Sequence, residues 1–487
     1  MTITSAPLCA QLLAACDRAD KTLPPGEAKR AVAAARERLL ENVLRVAVGG
    51  RLNAGKSTLV NALIGEKLAA TDATECTTLV TWFRFGPVNR ISFQFRDSPV
   101  VTLPAQPLAR AIAAVGRPAA DIALVQVDSS NVALAQDYTI VDTPGLDALS
   151  GLDAVSLGAL AQADVLLYLM PHPGQNDREA LDALAANAGQ AGISAVNTIG
   201  VLSRVDQLGD GTGDPWVRAH RVARSGARQL AALVCDVVPV VGLLAETALG
   251  NSFTEANMTP LRALAGTDPE VLDRALYSAD DFYACDELPI SAEHRARLLS
   301  MLGMYGISAA IEEINNGTRG ATGLLRALRS RSGIDVLLDQ LRRQFLNLAD
   351  PLRARYALRI LDAATWLSAS PEECAVLTAL RYDLDDVRSD PRLRRLSLME
   401  AVADLHAGYW EATSEFTQEL TALAAGADLP EQLGLDPPAD LGQIRAVLST
   451  RISAWRELEN TSPRGTARYA RLVREQLEAL FFGAPSA

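Results

Sequence analysis

The stretch from Val43 to Gly65, VLRVAVGGRLNAGKSTLVNALIG, constrains the fold more than any other part of the chain. An apolar run, Leu44 to Val48, leads to Gly50. After four intervening residues come Gly55, Lys56 and Ser57, and then Leu59, Val60, Leu63 and Ile64 at helical spacing. That order predicts a strand, a phosphate-binding loop and a helix. Gly50 and Gly55 let the backbone fold tightly, so that successive N–H groups point inward at phosphate oxygens, and the helix beginning at Lys56 adds its positive end. Lys56 would reach the β- and γ-phosphates and the Ser57 hydroxyl would ligate Mg²⁺. The candidate nucleotide-binding residues here are Gly50, Asn53, Ala54, Gly55, Lys56, Ser57 and Thr58. The competing reading is an ordinary glycine-rich turn between strand and helix.

Downstream, short apolar runs predict strands over Leu79–Phe85, Ile91–Arg96, Leu124–Val127, Tyr138–Asp142, Val165–Met170, Asn197–Leu202 and Val237–Val241, with helical patterns among the later ones. Strands alternating with helices imply an α/β domain, its sheet mostly parallel with helices on both faces, and a nucleotide at the carboxyl ends of the strands. Before the first strand, residues 1–42 read as two helices broken at Leu23-Pro24-Pro25-Gly26, the second carrying Val32, Ala35, Leu39 and Val43 on one face. A C-terminal helix is the natural partner for that face. Strand signals vanish after about Ser252. Two long stripes follow, Ile334 to Leu348 and Leu398 to Leu423, the second weakened only by Gly408. Further stripes lie around Ile444–Leu458 and Tyr469–Phe481. Stripes of this kind build a helical bundle or stalk. The Pro/Gly-rich segment Gly426–Gly442 reads as a loop or tip.

Composition narrows the function. At 487 residues the chain suggests two or three domains. A net charge of −12 argues against nucleic-acid binding through a basic surface and against strong attraction to anionic lipid. Six cysteines without CxxC spacing imply neither a zinc site nor a disulfide framework, which fits a reducing cytoplasm. No signal peptide is visible, and Leu298–Ile311 is too short and too interrupted to span a bilayer. The expectation is a cytoplasmic or peripheral protein.

Three further motifs extend the phosphate loop. At the end of Tyr138–Val141 stands Asp142-Thr143-Pro144-Gly145. Asp142 would hold a water of the Mg²⁺ shell, and the Gly145 N–H would sense the γ-phosphate. In Thr74-Glu75-Cys76-Thr77-Thr78, Thr77, with Thr78 as fallback, would give its hydroxyl to Mg²⁺ and its N–H to the γ-phosphate. After Thr198–Leu202 comes Ser203-Arg204-Val205-Asp206, where Asp206 would read guanine and the apolar stem of Arg204 would lie over the base. Ser203 and Arg204 depart from the usual Asn/Thr-Lys-x-Asp form. Gly242, in Val238–Leu243, falls where a base-covering loop belongs.

The order and spacing of these motifs resemble the translation-factor-like GTPases and, within them, the bacterial dynamin-like proteins. GRLNAGKSTLVNALIGEKLAATDATECTTLVTWFRFG, VVPVVGLLAETA, LLSMLGMYGISAAI and SGIDVLLDQL are similar to the isoniazid-inducible dynamin-like GTPases of actinobacteria. The resemblance implies a GTPase head on a helical neck and stalk built from both chain ends. The expected division is 1–42 for neck helices, 43–345 for the GTPase domain with its core at 43–250, and 346–487 for the C-terminal bundle. It implies hydrolysis of GTP to GDP and phosphate with Mg²⁺, pairing of heads in a homodimer or with a paralogous dynamin-like partner, and membrane remodelling or maintenance at the inner face of the cell membrane. Eukaryotic dynamins place the attacking water with a glutamine where this chain has Leu52, and Leu146 stands where Ras-like GTPases carry theirs. Asn53 matches the asparagine that holds potassium in cation-dependent GTPases. The catalytic candidates are therefore Lys56, Thr77, Gly145 and Asn53, with K⁺ or Na⁺ as an additional cation at Asn53.

Two other readings stand beside this one. A nucleotide-binding scaffold with little or no hydrolysis would also lack those glutamines. A ribosome or RNA-maturation GTPase would share NxGKSTLxNALxG but would need a basic RNA-binding module. For lipid contact the candidates are Leu429, Leu433 and Leu435, Leu480-Phe481-Phe482, and Arg388, Arg392, Arg394 and Arg395, each of which reads more readily as core, loop anchor or solvated face.

Overall fold

A computed structural model of the chain describes residues 7–69, 79–97, 99–131, 138–143, 158, 160, 162–187, 194–208, 214–367, 370–426, 429–436 and 439–483. Its centre is a sheet of nine strands: β1 (Leu44–Gly50), β2 (Thr81–Phe85), β3 (Arg90–Phe95), β4 (Val100–Pro104), β5 (Ile122–Ser129), β6 (Tyr138–Asp142), β7 (Val165–Met170), β8 (Thr198–Leu202) and β9 (Asp236–Pro239). They lie in the order β4-β3-β5-β2-β6-β1-β7-β8-β9. From β6 to β9 all pairings are parallel. Beyond β6 the sheet continues as a mixed wing, in which β2 runs antiparallel to β6 and parallel to β5, and β3 runs antiparallel to both β4 and β5.

The parallel strands read as continuous apolar runs because both of their faces are covered. Side chains alternate across a strand. Accordingly Val46 and Val48 of β1, with Val165, Leu167 and Leu169 of β7, enter the core that also holds the helix after β1 and the N-terminal helices. Ala47, Leu166, Tyr168 and Met170 enter the core under the helices that follow β8 and β9. Helices thus lie on both faces, as the alternation predicts. β4 escaped the sequence reading: it is an edge strand whose residues are all partly or fully exposed, so it lacks a buried period-two face.

The N-terminal residues form two helices, Leu8–Thr22 and Glu27–Leu40, broken at the Pro-Pro-Gly turn. Val32, Ala35 and Leu39 are buried in one core with Leu352, Leu358 and Leu361 of helix Ala349–Thr365. The partner of the lone amphipathic helix is therefore a C-terminal helix, and the Arg353 side chain donates to the Leu39 carbonyl at 2.8 Å. Helix Leu8–Thr22 starts with Pro7 at its cap and has no capping side chain of its own. Asp350 supplies the cap from a distance, accepting from the N–H groups of Leu8 (2.8 Å) and Cys9 (3.0 Å), a favourable place for a carboxylate.

The stripe Ile334 to Leu348 forms as expected, with a π-helical turn over Leu341–Leu346 between α-helical segments. The stripe Leu398 to Leu423 does not make one helix. It is a hairpin of helices Pro391–His406 and Ser414–Ala425. Gly408 takes a left-handed φ of 77°. Its N–H bonds the Leu405 carbonyl and the N–H of Tyr409 bonds that of Asp404, so the free carbonyls of the last turn are closed off. Helices Leu441–Thr461 and Arg464–Gly483 complete this distal bundle around Trp455, whose indole N–H donates to Glu419 at 2.7 Å.

The lipid-contact candidates are mostly accounted for by packing. Leu433 is buried, Leu429 and Leu435 pack against the distal core, and of the C-terminal trio Phe482 is exposed. Arg388 pairs with Asp362 and Asp385, Arg392 with Asp390, and Arg394 and Arg395 donate to main-chain carbonyls of neighbouring helices. Among the described residues no helix is long and apolar enough to cross a membrane.

Candidate functional site

The loop after β1 is shaped by three left-handed residues, Gly50 (φ 138°), Asn53 (58°) and Gly55 (93°). At Gly50 a Cβ would run into the carbonyl of Leu169 on the adjacent strand, so only glycine lets β1 and β7 stay paired there. The helix Lys56–Ile64 starts directly at Gly55, which leaves the N–H groups of its first turn facing the loop. Lys56 Nζ folds back over the loop and donates to the carbonyls of Gly50 (3.2 Å) and Arg51 (2.9 Å).

β6 runs parallel to β1 and delivers Asp142 beside this turn, where Ser57 Oγ donates to Asp142 Oδ2 at 3.4 Å. The other carboxylate oxygen, Oδ1, is buried without a hydrogen-bond partner. Burial pushes the Asp142 carboxyl up to about 6, against the opposing pull of Lys56 and of the Ser57 hydroxyl. Thr143, which follows, is buried and donates to the Val48 carbonyl at 2.9 Å, fixing the strand end against β1.

β8 and the segment after β9 frame the other half. A cavity of about 320 Å³ opens next to the phosphate loop, lined by Ala54, Gly55, Thr58, Ser203, Arg204, Asp206 and Gly242. Asp206 stands at its rim on a single helical turn, Val205–Gln207. The surrounding protein dehydrates its carboxyl enough to raise its pKa although water still reaches it. Arg204 has a left-handed backbone (φ 53°), and its Nη2 donates to the Asn53 carbonyl at 2.5 Å.

The structure thus brings together Gly50, Asn53, Ala54, Gly55, Lys56, Ser57, Thr58 and Asp142 around one turn, with Arg204, Asp206 and Gly242 around the adjoining cavity. Thr77, Thr78, Gly145 and Leu146 lie outside the described residues. Leu52 is 59% exposed at the crest of the loop. Among the described residues no group of three or more His, Cys, Asp or Glu side chains could hold a metal by itself. Any cation here would depend on hydroxyl and carboxylate oxygens together with its own waters and substrate phosphates, the usual arrangement for Mg²⁺.

The chain is 34% identical over 434 residues to the isoniazid-induced protein IniC of Mycobacterium tuberculosis, covering 86% of this chain and 85% of that one. The sequence pattern of the Dynamin family matches residues 46–205, which holds the phosphate loop, Asp142 and Ser203-Arg204-Val205. The chain belongs to the dynamin family. The bacterial dynamin-like protein of Nostoc punctiforme is 31% identical over 150 residues, 28% of this chain and 21% of its own length. Among solved structures, a chain from an oligomerised bacterial dynamin pair, described as a mechanism for long-range sensing and tethering of membranes, aligns over 92% of this chain and 80% of its own. Its identity is 15% and its TM-score 0.32, too loose a likeness to carry an argument.

Three residues of this dynamin-like site were not singled out from the sequence. Ser203 is buried in the wall of the cavity with its hydroxyl unpartnered. Asn61, in the middle of the phosphate-loop helix, donates to Glu246 Oε1 (2.8 Å) and the Ala69 carbonyl (3.2 Å) and accepts from the N–H groups of Leu68 (3.0 Å) and Ala69 (2.7 Å). Lys67 Nζ lies 3.1 Å from the second oxygen of Glu246. This buried network fixes the chain just before the threonine segment. An asparagine among apolar residues in mid-helix is its one sequence signal, because asparagine is a poor helix former without such a partner.

Proposed function

We propose that this dynamin-like GTPase binds GTP across the phosphate loop and the adjoining cavity, hydrolyses it to GDP and phosphate, and couples the cycle to pairing of heads and movement of the helical stalk. The observation that carries the reading is the junction of two half-sites. Lys56, Ser57 and Asp142 face the turn after β1, and the cavity lined by Ser203, Asp206 and Gly242 opens from the same turn. A ligand with a polyphosphate at one end and a hydrogen-bonding planar base at the other has this shape.

Each residue has a role in that reading. Gly50, Asn53, Ala54, Gly55 and Thr58 supply loop and helix N–H groups to the phosphates, and Lys56 leaves its carbonyls for the β- and γ-oxygens. Asp206 accepts from the N1–H and amino group of guanine, Arg204 lays its stem beside the base, and Gly242 admits the base without a side chain in the way. The Mg²⁺ expected of the family would be held by Ser57 directly and by Asp142 through water, and it would neutralise charge on the phosphates. The unpartnered, dehydrated Oδ1 of Asp142 suits that task. Thr77 and Gly145 are assigned by motif to close over the γ-phosphate. With leucine at Leu52 and Leu146, Asn53 is the residue we assign to a monovalent cation, K⁺ or Na⁺, in place of a water-orienting glutamine.

The division into neck helices 1–42, GTPase domain 43–345 and bundle 346–487 belongs to the same proposal. So do pairing with an identical chain or a paralogous dynamin-like partner, and a peripheral place at the inner face of the cell membrane. Membership of the dynamin family supports the membrane setting, and co-sedimentation with liposomes with and without GTP tests it. The scaffold reading predicts bound nucleotide without turnover. Phosphate release by wild type beside Lys56→Ala separates the two: equal rates would leave no enzyme.

A further inference from the structure

The nine-stranded sheet ends on β4 at one side and on β9 at the other, and the two edges are finished differently. β9 is covered. Asp236 Oδ1 accepts from the Val237 N–H at 2.8 Å, and Pro239 has no N–H to offer. The chain at Ser332–Gly333 closes against the end of the strand, where Val241 donates to the Ser332 carbonyl at 2.9 Å and a Cβ on Gly333 would strike the Pro239 carbonyl.

β4 has no such cover. Its free groups follow from its ladder to β3, because antiparallel strands exchange hydrogen bonds at alternate residue pairs. The Phe95 N–H donates to the Pro99 carbonyl at 3.2 Å and the Ala105 N–H to the Asn89 carbonyl at 3.3 Å, both in the register that sets Ile91 opposite Leu103 and Phe93 opposite Val101. Pro99, Val101, Leu103 and Ala105 therefore turn their backbone groups toward β3. Val100 and Thr102 turn theirs away from it, and among the described residues no backbone group bonds to them. Pro104, the next outward position, offers a carbonyl without an N–H and ends the free run.

The side chains leave this edge open too. Edge strands are commonly protected by a charged side chain, a bulge or a covering element. From Pro99 to Ala109 the sequence PVVTLPAQPLA carries no charge, in a chain with 21% charged residues, and the β3–β4 register runs without a bulge. Val101 and Leu103 anchor the strand on the core, while Val100 on its other face is 63% exposed.

We propose that β4 is a docking edge for a second copy of this chain, the two strands pairing antiparallel across a two-fold axis to make one continuous sheet. The edge is complementary to itself in one register. With Val101 opposite its own counterpart, the Val100 N–H meets the Thr102 carbonyl of the second copy and the Thr102 N–H meets its Val100 carbonyl. The axis repeats both, so every outward N–H of Val100 and Thr102 finds an acceptor. That two-fold match is the reason to favour a second copy over an unrelated extended segment, and the uncharged strand sets no like charges against each other. Four strands, β3, β5, β2 and β6, stand between β4 and β1, so the contact leaves the phosphate loop free. The inference does not depend on GTP binding or hydrolysis.

Sedimentation velocity of the full chain without nucleotide, from low to high micromolar concentration, tests it, and a reversible dimer is expected. Thr102→Pro removes one outward N–H, spares the groups that face β3, and should weaken the dimer about tenfold or more. Val100→Lys keeps every backbone group and should act likewise by placing a charge on the edge. A thermal melt of Val100→Lys matching wild type separates lost pairing from lost folding. Crosslinking reads the register. Val101→Cys should join two copies under mild oxidation beyond the wild-type background, since residues opposed in a non-hydrogen-bonded pair have Cα atoms about 4.5 Å apart. Leu103→Cys should not, because its counterpart lies several residues along the partner strand. A monomer at every concentration would overturn the proposal and leave the edge to solvent or to a different protein. A dimer that withstands both Thr102→Pro and Val100→Lys, or that forms only with GTP, would lie elsewhere on the molecule and overturn it equally.

Discussion

Among the described residues, the two non-glycine positions with left-handed backbones, Asn53 and Arg204, are bonded to each other: Arg204 Nη2 donates to the Asn53 carbonyl at 2.5 Å. A left-handed backbone costs about 1 kcal/mol or more for most residues and persists where the surroundings demand it. Here the loop after β1 and the segment after β8 each hold one strained residue, and the hydrogen bond joins the two proposed half-sites. Arg204→Ala should therefore weaken binding of a fluorescent GTP analogue about three- to tenfold, the charge-assisted bond being discounted for its exposure. Unchanged affinity would show that the bond does not couple the halves.

Asn53 can be tested without disturbing the turn. Glycine accepts φ near 58° at no steric cost, whereas alanine would add strain to the loss of the amide. Asn53→Gly should fold normally and lose the difference in turnover between potassium and a large organic cation. A wild type indifferent to the cation would remove Asn53 from this role.

Asn61 ties the phosphate-loop helix to Glu246 and to the Leu68–Ala69 backbone. Asn61→Ala removes one of the two partners of the buried Glu246 carboxylate, which keeps Lys67, and leaves the buried Ala69 N–H without its acceptor. A loss of about 1–3 kcal/mol in denaturant unfolding is expected. A loss below about 1 kcal/mol would mean that water replaces the amide without penalty.

Asp142 sets a pH dependence. Its folded pKa of about 6 lies above its ordinary 3.8, so the folded state binds the extra proton. Without nucleotide, its contribution to stability is greatest below about pH 4, declines as pH rises through about 6, and is then flat. Asp142→Asn removes the cost of burying the charge and should stabilise the nucleotide-free protein at pH 7 by about 2–3 kcal/mol while weakening Mg²⁺-dependent binding. An Asp142→Asn protein less stable than wild type at pH 7 would contradict this.

Much of the head was legible because a fully buried parallel strand leaves a continuous apolar run. Tyr138–Asp142 and Val165–Met170 have the bounds that their hydrophobicity suggests. The packing of helix Glu27–Leu40 on helix Ala349–Thr365 followed from an apolar helix face with nothing local to cover it. Other features were hidden for identifiable reasons. β4 is exposed on both sides, and Gly408 reads as a weak point in a helix until the chain reverses there and Trp410 stacks on Tyr469 of the last helix, with ring centres 4.8 Å apart. Ser203 looked like a departure from a motif, and its unpartnered hydroxyl is visible only once β8 is placed.

The most direct test of the proposed function is phosphate release from GTP and XTP by wild type and Asp206→Asn. If Asp206 reads the base of a hydrolysed nucleotide, wild type turns over GTP and not XTP, and Asp206→Asn exchanges that preference. Equal GTP turnover by both proteins, or none by wild type, would contradict the account.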